Sequence, residues 1–161
     1  MIKFFIRLNL ITFVILINLL LKCYAAENLQ MSAEKSKQLV KDAVIYALEN
    51  MDPNMDYSKY VSKNFINHVD DNVFNFNEWV KHQKDIKAIV KSMKPTFDLL
   101  VAEKDYVAAI YRIHIIKKDG SELDVKDMGF FKIKNHTIVY VDELTRLING
   151  NKEDSNIGSM K

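Results

Sequence analysis

The sequence predicts an α+β domain in which helices come first and an antiparallel sheet follows. Two observations support this prediction. Apolar residues in the first half of the chain recur at steps of three and four, the spacing of a buried helix face, whereas from Phe97 onward they alternate along the chain in the period of a strand. Short turn signals separate the alternating segments, so neighbouring strands are expected to run antiparallel in a meander. Helices followed by strands form the α+β pattern.

The first 25 residues have the pattern of a secretory signal. Basic residues precede the apolar stretch Leu8 to Leu21, and the small residues Ala25 and Ala26 follow it. As a helix this stretch would measure roughly 21 Å at ~1.5 Å per residue, which is short of the ~30 Å core of a bilayer. We therefore expect removal of the segment and a secreted or periplasmic protein without a stable membrane anchor. An uncleaved anchor and acylation at Cys23 are the alternatives.

Removal of this segment changes what the composition implies. The chain of 161 residues carries a net charge of +2, but Lys3, Arg7 and Lys22 lie in the segment, which leaves 20 basic and 21 acidic residues. A near-neutral domain lacks the basic surface that nucleic acid or an anionic membrane binds. Cys23 is the only cysteine, so the remaining protein has neither a disulfide nor a thiol nucleophile.

The domain is placed at residues 26–148 and begins with a helix that has one broad apolar stripe. Ser32 is a suitable N-cap, and Asp52-Pro53 is expected to stop the helix. The stripe consists of residues three or four apart: Leu39, Val40, Ala43, Val44, Ala47, Leu48 and Met51.

A second helix is predicted further along the chain. Asn77 is a suitable N-cap, inward residues run from Trp79 to Met93, and Pro95 lies just past the expected end. Between the helices, NFINHV alternates like a short strand, and DDNVFNFN has the composition of a loop.

Four strands and a polar tail complete the chain. The strands are expected at Phe97 to Ala102, Tyr106 to Lys117, Leu123 to Lys134 and Thr137 to Leu147, and the tail at residues 149–161. The second of these strands is largely apolar on both sides, because Val107, Tyr111 and Ile113 alternate with Ile110 and Ile116. A sheet with two apolar faces needs a second cover, so we expect a homodimer formed through one sheet face.

The order of these segments resembles the SnoaL-like branch of the nuclear transport factor 2-like superfamily. The resemblance covers Ala33 to Ile148 and rests on YVSKNFINHV, a helix with Trp79, LLVAEKDYVAAIYRIH and the closing GFFKIKNHTIVYVDELTRLI. It implies a cone-shaped α+β barrel in which a strongly curved sheet wraps the helices, leaves a pocket at one end and often dimerises through its convex face. The superfamily includes polyketide cyclases, ketosteroid isomerase, limonene epoxide hydrolase and ligand-binding members without known catalysis, so the fold alone transfers no activity.

Asp142 is the first candidate for chemistry. It continues the side of the last strand that carries Ile138 and Tyr140, and the resemblance implies that an acid near this place faces the pocket. An apolar pocket would raise its pKa and prepare it as a base or proton donor. Alternatively, it is an edge carboxylate that caps a turn or pairs with Arg146. Glu143 falls on the opposite side and is expected in solvent or at a dimer contact.

Asp127 is the second candidate, because it shares a strand side with apolar residues. If that side faces inward, the carboxylate is buried and needs a partner. Arg112 and His114 lie two apart on a neighbouring strand and are candidates for that role and for ligand contacts. They loosely resemble the Arg-x-Asp strand of epoxide hydrolases, but His114 replaces the acid, which argues against epoxide opening. The alternative places both residues on the convex face.

The remaining candidates are ligand contacts. His68 matches the histidine of the family's Tyr…His segment, with Asn67 on the other side of the same strand, so only one of them can point into the cavity. Tyr46, Trp79 and Phe131 are expected in the core or pocket wall. Two other histidines, His82 and His136, are expected at the surface.

These residues support three hypotheses about function. The first is a domain that binds a small, mainly apolar ligand; the second is an acid/base enzyme of the isomerase or cyclase type; the third is an interaction module without a ligand. We expect no cofactor and no metal, because no spacing of His, Cys, Asp and Glu indicates a metal site and no Gly-rich phosphate loop or Ser-His-Asp signature occurs.

Overall fold

The computed structural model describes Ile17 and residues 31–160. The predicted signal, residues 1–25, therefore lies outside the described residues except for Ile17. Within the part of the chain that the structure describes, no helix is both long enough and apolar enough to cross a membrane. The residues from Ser32 onward form a compact unit of their own.

Two α-helices pack against the inner face of the sheet. Helix α1, Ala33–Glu49, begins at Ser32 as predicted, and the Ser32 hydroxyl accepts a hydrogen bond from the Lys35 amide. It ends at Asn50, and its buried positions include Val40 and Val44.

Helix α2, Phe76–Ile89, begins two residues earlier than predicted. Asn75 rather than Asn77 is the N-cap, because its side chain accepts from the Asn77 and Glu78 amides while the Glu78 carboxylate accepts from the Asn75 amide. The helix also ends before Met93, which lies on the following strand.

Six strands form one mixed, unclosed sheet in the order β2-β1-β6-β5-β4-β3. The strands are β1 Val61–Val69, β2 Asn72–Asn75, β3 Val90–Glu103, β4 Tyr106–Lys117, β5 Glu122–Lys134 and β6 Thr137–Asn149. All neighbouring strands are antiparallel except β1 and β6, which run parallel. The α+β prediction is therefore confirmed, with one parallel pair in a sheet expected to be antiparallel throughout.

Two strand predictions needed correction. The segment DDNVFNFN, expected as a loop, contains β2, which forms a hairpin with β1. Strand β3 begins seven residues before the predicted Phe97 and continues through Pro95. Proline is tolerated there because β3 is an edge strand, so its missing amide costs no ladder hydrogen bond.

The sheet curves around the helices, and irregular pairing accompanies the curvature. Register shifts interrupt the β3–β4 pair, the β5–β6 pair and the β1–β6 pair, and such bulges bend a strand and increase its twist. Helix α1 packs mainly against β3, and α2 packs against β1 and β2. The apolar core lies between these helices and the inner face of the sheet.

Candidate functional site

A cavity of about 120 Å³ lies between the inner face of the sheet and the helices. This is several times the roughly 10–15 Å³ that one water molecule needs. Its wall is mainly apolar, and it includes Tyr46, Trp79 and Phe131, as the sequence predicted. The rings of Tyr57 and Phe65 lie on either side of Trp79, with ring centroids 4.7 and 5.3 Å from it. Aromatic faces therefore form much of one wall.

Arg112 and His114, predicted as ligand contacts, lie on the outer face of the sheet. Side chains alternate along β4, so Tyr111 and Ile113 face the cavity and their neighbours face away. Arg112 Nη2 lies 2.9 Å from an oxygen of Asp98. His114 Nδ1 lies 2.9 Å from an oxygen of Asp124. The structure therefore brings neither residue to the cavity or to Asp127, and both lie on the convex face, where the alternative placed them.

His68, also predicted as a ligand contact, points away from the cavity. Its ring packs against Tyr140 with a centroid separation of 5.2 Å. Its neighbour Asn67 faces the cavity and is buried. Asn67 therefore takes the place that the sequence analysis assigned to His68, since Phe65, Asn67 and Val69 share the buried side of β1.

The orientation expected for the acidic pair on β6 is reversed. Asp142 is exposed on the outer face, where the Tyr140 hydroxyl donates to it over 3.2 Å, and Glu143 lines the cavity. The cause is a bulge: Ile133 pairs with Ile138, but Lys132 pairs with Tyr140, so one residue of β6 is skipped. Beyond the bulge the alternation changes phase, and Val141 and Glu143 point inward instead of Asp142.

Glu143 has an enclosed carboxyl group. Asn67 Nδ2 donates a hydrogen bond to Glu143 Oε1 over 2.8 Å. Burial raises the pKa of Glu143 to about 7, and this rise outweighs the lowering effect of Asn67. The negative charges of Asp70 and Asp142 add to the rise. The residue directly opposite on β5 is Gly129, where a Cβ would lie 3.3 Å from that of Glu143.

Asp127 faces the same cavity from β5, as predicted if its strand side is inward. It is buried, and its cross-strand neighbour on β4 is Tyr111, whose hydroxyl hydrogen-bonds to it. Burial raises the pKa of Asp127 well above its usual range, and the negative charge of Glu143 raises it further. Asp127 pairs with Thr145 and Glu143 with Gly129, so the two carboxyl groups are diagonal neighbours on adjacent strands. We call Asp127 and Glu143 the carboxyl pair.

Three buried acceptor oxygens on the cavity wall lack a hydrogen-bond donor among the described residues. They are Asn67 Oδ1, Gln83 Oε1 and Asp127 Oδ1. These residues are only 3%, 7% and 5% exposed, so bulk solvent does not reach them freely. A buried polar atom without a partner costs roughly 1–3 kcal/mol. The cavity therefore offers acceptors to a molecule that brings donors.

Solved structures with this architecture are numerous. AclR from Streptomyces galilaeus has a TM-score of 0.62 at 15% identity, with 81% of this chain and 89% of that chain covered. A protein from Jannaschia sp. CCS1 described as SnoaL-like has a TM-score of 0.54 at 11% identity, covering 68% and 86%. An NTF2-like protein from Burkholderia thailandensis has a TM-score of 0.56 at 12% identity, covering 71% and 92%. The chain has the nuclear transport factor 2-like fold.

Sequence relatives are sparser. No protein-family model matches the chain. An uncharacterised protein of Schizosaccharomyces pombe is 23% identical over 93 residues, which is 58% of this chain and 72% of that protein. The resemblance inferred from segment order is confirmed for the fold, by the solved structures.

The C-terminal segment closes one part of the cavity in this nuclear transport factor 2-like domain. After β6, a 3-10 turn at Lys152–Asn156 brings Ile157 and Gly158 onto the cavity wall. Asn72 Nδ2 donates to the Ser159 carbonyl over 2.8 Å. Residues 157–160, which we call the strap, therefore belong to the cavity and do not extend freely from the domain.

His82 anchors the same strap and was predicted wrongly as a surface residue. It is buried on α2, with Nδ1 2.7 Å from the Met160 carbonyl and its ring stacked on Phe74. Burial lowers the pKa of His82, although the hydrogen bond to Met160 opposes this. The other histidine of that prediction, His136, is exposed in the β5–β6 turn as expected.

Several cavity residues were missed by sequence reasoning. Asn67 carried a usable signal, because it shares its strand side with Phe65 and Val69. Tyr111 carried another, because it occupies the middle of an alternating apolar strand side. Glu143 carried none, since no residue type in β6 marks the bulge that turns it inward.

Proposed function

We propose that the cavity binds a small, mainly apolar molecule that carries hydrogen-bond donors. The three buried, unpartnered acceptors on the cavity wall are the observation that supports this proposal most strongly. Ligand sites are typically apolar pockets with a few converging polar groups that orient the ligand. An apolar wall alone would suit a packed core, but a core that leaves three acceptors unpaired would be destabilised. Donors on a ligand would remove that cost.

Trp79 provides a direct readout of ligand entry. It is the only tryptophan in the sequence and lines the cavity, so its fluorescence should change when a ligand enters. We would titrate the protein with small cyclic alcohols and amines and would also extract co-purified small molecules for mass spectrometry. Saturable fluorescence changes, or a molecule that co-purifies in stoichiometric amount, support the proposal.

Matched variants of α1 distinguish the cavity from the surface. Ala47→Phe places a ring into the cavity wall, whereas Ala33→Phe adds the same ring at an exposed position of the same helix. We expect ligand binding to be lost in the first variant and kept in the second. The proposal is wrong if no compound binds and nothing co-purifies, or if both variants bind as well as the unsubstituted protein.

A second candidate function is acid/base catalysis by the carboxyl pair. The pKa of Glu143, raised to about 7, suits a general base near neutral pH. Asp127, whose pKa burial raises well above its usual range, suits a protonated donor, with Tyr111 beside it. With a ketone ligand, Glu143 would take a proton from the α-carbon while Asp127 or Tyr111 donates to the carbonyl oxygen, which forms the enol.

Deuterium exchange tests this candidate. Protein in deuterated buffer should accelerate exchange at the α-carbon of cyclohexanone, and Glu143→Gln should abolish the acceleration. Asp124→Asn, which changes a carboxylate on the outer face of β5, should leave it unchanged. Equal exchange with and without protein would exclude this chemistry for that substrate class and leave ligand binding standing.

The outer face of the sheet supports a proposal about partners. Apolar side chains that are exposed or, at Ile110, half-buried lie in register across four strands, with Leu99 opposite Ile110, Ile110 opposite Met128, and Met128 opposite Leu144. Phe130 lies beside this row and is 60% exposed. We propose that a second copy of the chain covers this patch, since a two-fold axis would place the apolar rows against each other.

Sedimentation velocity tests the homodimer. Phe130→Lys should shift the protein from dimer to monomer, whereas Lys132→Ala, on the same strand face, should not. A monomer before substitution would contradict the proposal and would leave the patch for a different protein, as the interaction-module hypothesis requires.

We also propose that residues 1–25 direct secretion of the protein and are then removed. The intact mass of protein recovered from its native compartment tests this, because a mass that includes residues 1–25 would contradict removal.

A further inference from the structure

We propose that the ligand is a protonated amine, a compact apolar body whose ammonium group lies against Asp127 and Glu143. The inference rests on the proposed function and specifies the chemical class of its ligand. The observations that support it are the charges, the hydrogen-bonding capacity and the aromatic surface of the cavity wall.

The cavity wall carries carboxyl groups and, among its described residues, no cationic side chain other than His82, whose pKa is lowered by burial. The wall includes two carboxyl groups, on Asp127 and Glu143, and no lysine or arginine among its described residues. Lys87, the buried lysine of α2, is directed to Met55 Sδ and the Tyr57 hydroxyl and is not part of the wall. A carboxylate buried in an apolar site is destabilised unless it is paired with a cation or hydrogen-bonded. A cationic ligand supplies the pairing that the described side chains of the wall do not.

The hydrogen-bonding capacity of the wall also matches an ammonium group. An ammonium group has three N–H donors and no acceptor. Two of the unpartnered oxygens, Asn67 Oδ1 and Gln83 Oε1, are amide acceptors, and the third, Asp127 Oδ1, is an acceptor when Asp127 is ionised. Asn67 and Asp127 lie on either side of Glu143 in the sheet, and Gln83 lies on the helical wall. A hydroxyl group offers one donor and brings its own lone pairs, so it satisfies fewer of these oxygens.

The aromatic wall fits the remainder of such a ligand. Phe65, Tyr57 and Trp79 form a contiguous set of rings on the wall. Aromatic faces attract cations within about 6 Å of the ring centroid and also bury apolar carbon favourably. The same wall therefore accepts an apolar body and stabilises a nearby positive charge.

Burial and nearby negative charges oppose ionisation of the carboxyl pair when no cation is bound, and they outweigh the hydrogen bonds from Asn67 and Tyr111. Asp70 and Asp142 add negative charge near Glu143, and the Tyr111 hydroxyl is neutral. His82 on α2 is held towards its neutral form by burial. Burial itself raises the pKa of Glu143 to about 7. An ammonium ligand pairs with the ionised carboxyl group, so its affinity should rise as the pH increases through 7.

The experiment compares two probes of the same shape, cyclohexylmethylamine and cyclohexylmethanol. The amine stays protonated over the range used, as a lysine does up to about pH 10. Calorimetric titration at about pH 6 and about pH 8 should show amine affinity rising roughly tenfold, since the ionised fraction of a group with a pKa of about 7 rises tenfold over that range. At about pH 8 the amine should bind at least about tenfold more tightly than the alcohol.

Variants assign the effect to the carboxyl pair. Glu143→Gln keeps the shape and can still hydrogen-bond to Asn67, and we expect it to lower amine affinity at least about tenfold at about pH 8 and to remove the pH dependence. Asp127→Asn should lower it also, whereas Asp124→Asn, on the outer face of β5, should not. Alcohol binding should change little in all three variants.

The outcomes separate this inference from the proposed function. If the alcohol binds as tightly as the amine, or if amine affinity is independent of pH, the amine inference is wrong while ligand binding stands. If neither probe binds and nothing co-purifies, the proposed function is wrong and the inference falls with it. The comparison of probes uses the unsubstituted protein, so it decides the matter even if a variant does not fold.

Discussion

The two faces of the sheet place the same residue type in opposite environments. Asp124 and Asp127 lie three residues apart on β5, one on each face. On the outer face, the hydrogen bond from His114 lowers the pKa of Asp124. On the inner face, burial raises the pKa of Asp127. The difference shows that the chemistry of a carboxyl group here depends on the face to which its strand position directs it.

The largest expected difference between the faces is the loss of stability when a phenylalanine ring is removed from Phe131 or from Phe130. Phe131 is buried on the cavity wall, whereas its neighbour Phe130 is mostly exposed. Phe131→Ala should lower the free energy of unfolding by about 3–5 kcal/mol, because it removes a buried ring and leaves a void. Phe130→Ala should change the stability of the monomer by less than about 1 kcal/mol. Urea unfolding at low protein concentration measures both, and equal losses would contradict the assignment of faces.

Glu143 should make stability fall as the pH rises. Its folded pKa of about 7 lies above its ordinary value of 4.5, so the folded state holds the proton more tightly. This contribution to stability is complete below pH 4.5 and is lost as the pH rises through 7. In the unsubstituted protein, the free energy of unfolding should fall by about 3 kcal/mol as the pH rises from 4.5 through 7 because of this group. Glu143→Gln should not show this fall. Thermal unfolding against pH measures this effect.

The outer face supplies the control for that pH dependence. The pKa of Asp124 is lowered, so its small contribution is present above its ordinary value of 3.8 and is lost as the pH falls. Asp124→Asn should therefore change the pH dependence of stability only at acidic pH and leave the fall near pH 7 intact. A pH profile of Glu143→Gln that matches the unsubstituted protein would contradict the burial of Glu143.

A substitution at Gly158 tests whether the strap packs against the inner face of β6. A Cβ at this position would lie 2.7 Å from Thr145 Cγ2, so Gly158→Ala should displace the strap or its neighbour. We expect a loss of about 1–3 kcal/mol and faster amide hydrogen exchange in residues 157–160. Asn151→Ala, at an exposed position before the 3-10 turn, is the matched control. Unchanged exchange in Gly158→Ala would show that the strap does not pack against β6.

The ion pair between Arg112 and Asp98 should show the smallest effect. Its side chains are 55% and 36% exposed, so solvent and salt screen the attraction. Arg112→Gln should change the free energy of unfolding by less than about 1 kcal/mol and leave ligand binding unchanged. Loss of ligand binding in this variant would indicate that Arg112 contacts the ligand and would contradict its placement on the outer face.

The fold was largely predictable because it depends on local patterns. Alternation placed β4, β5 and β6 to within two residues, and Ser32 marked the start of α1. The errors at α2 and β3 lie where local signals conflict. The Asn75–Glu78 capping box prevailed over Asn77, and Pro95 was read as a helix end although it lies in an edge strand.

The candidate site was predictable only in part. Asp127, Tyr46, Trp79 and Phe131 line the cavity, within the alternatives that the sequence left open: an inward strand side for Asp127, and the core or pocket wall for the aromatic residues. Asp142, His68, Arg112 and His114 do not line it, because each lies one position away from a residue that faces inward. Side chains in a strand alternate with a period of two, so a single step exchanges the cavity for the outer face.

The sequence by itself determined the class of fold, the order of its elements and the apolar character of the cavity wall, because helix and strand periods and caps are local properties. Only the tertiary structure decided which carboxyl groups meet. The bulge between Ile138 and Tyr140 turns Glu143 inward, and the pairing of β5 with β6 sets it beside Asp127. Those contacts join residues distant in the chain, and burial, which raises the pKa of both groups, exists only after the sheet has curved around the helices.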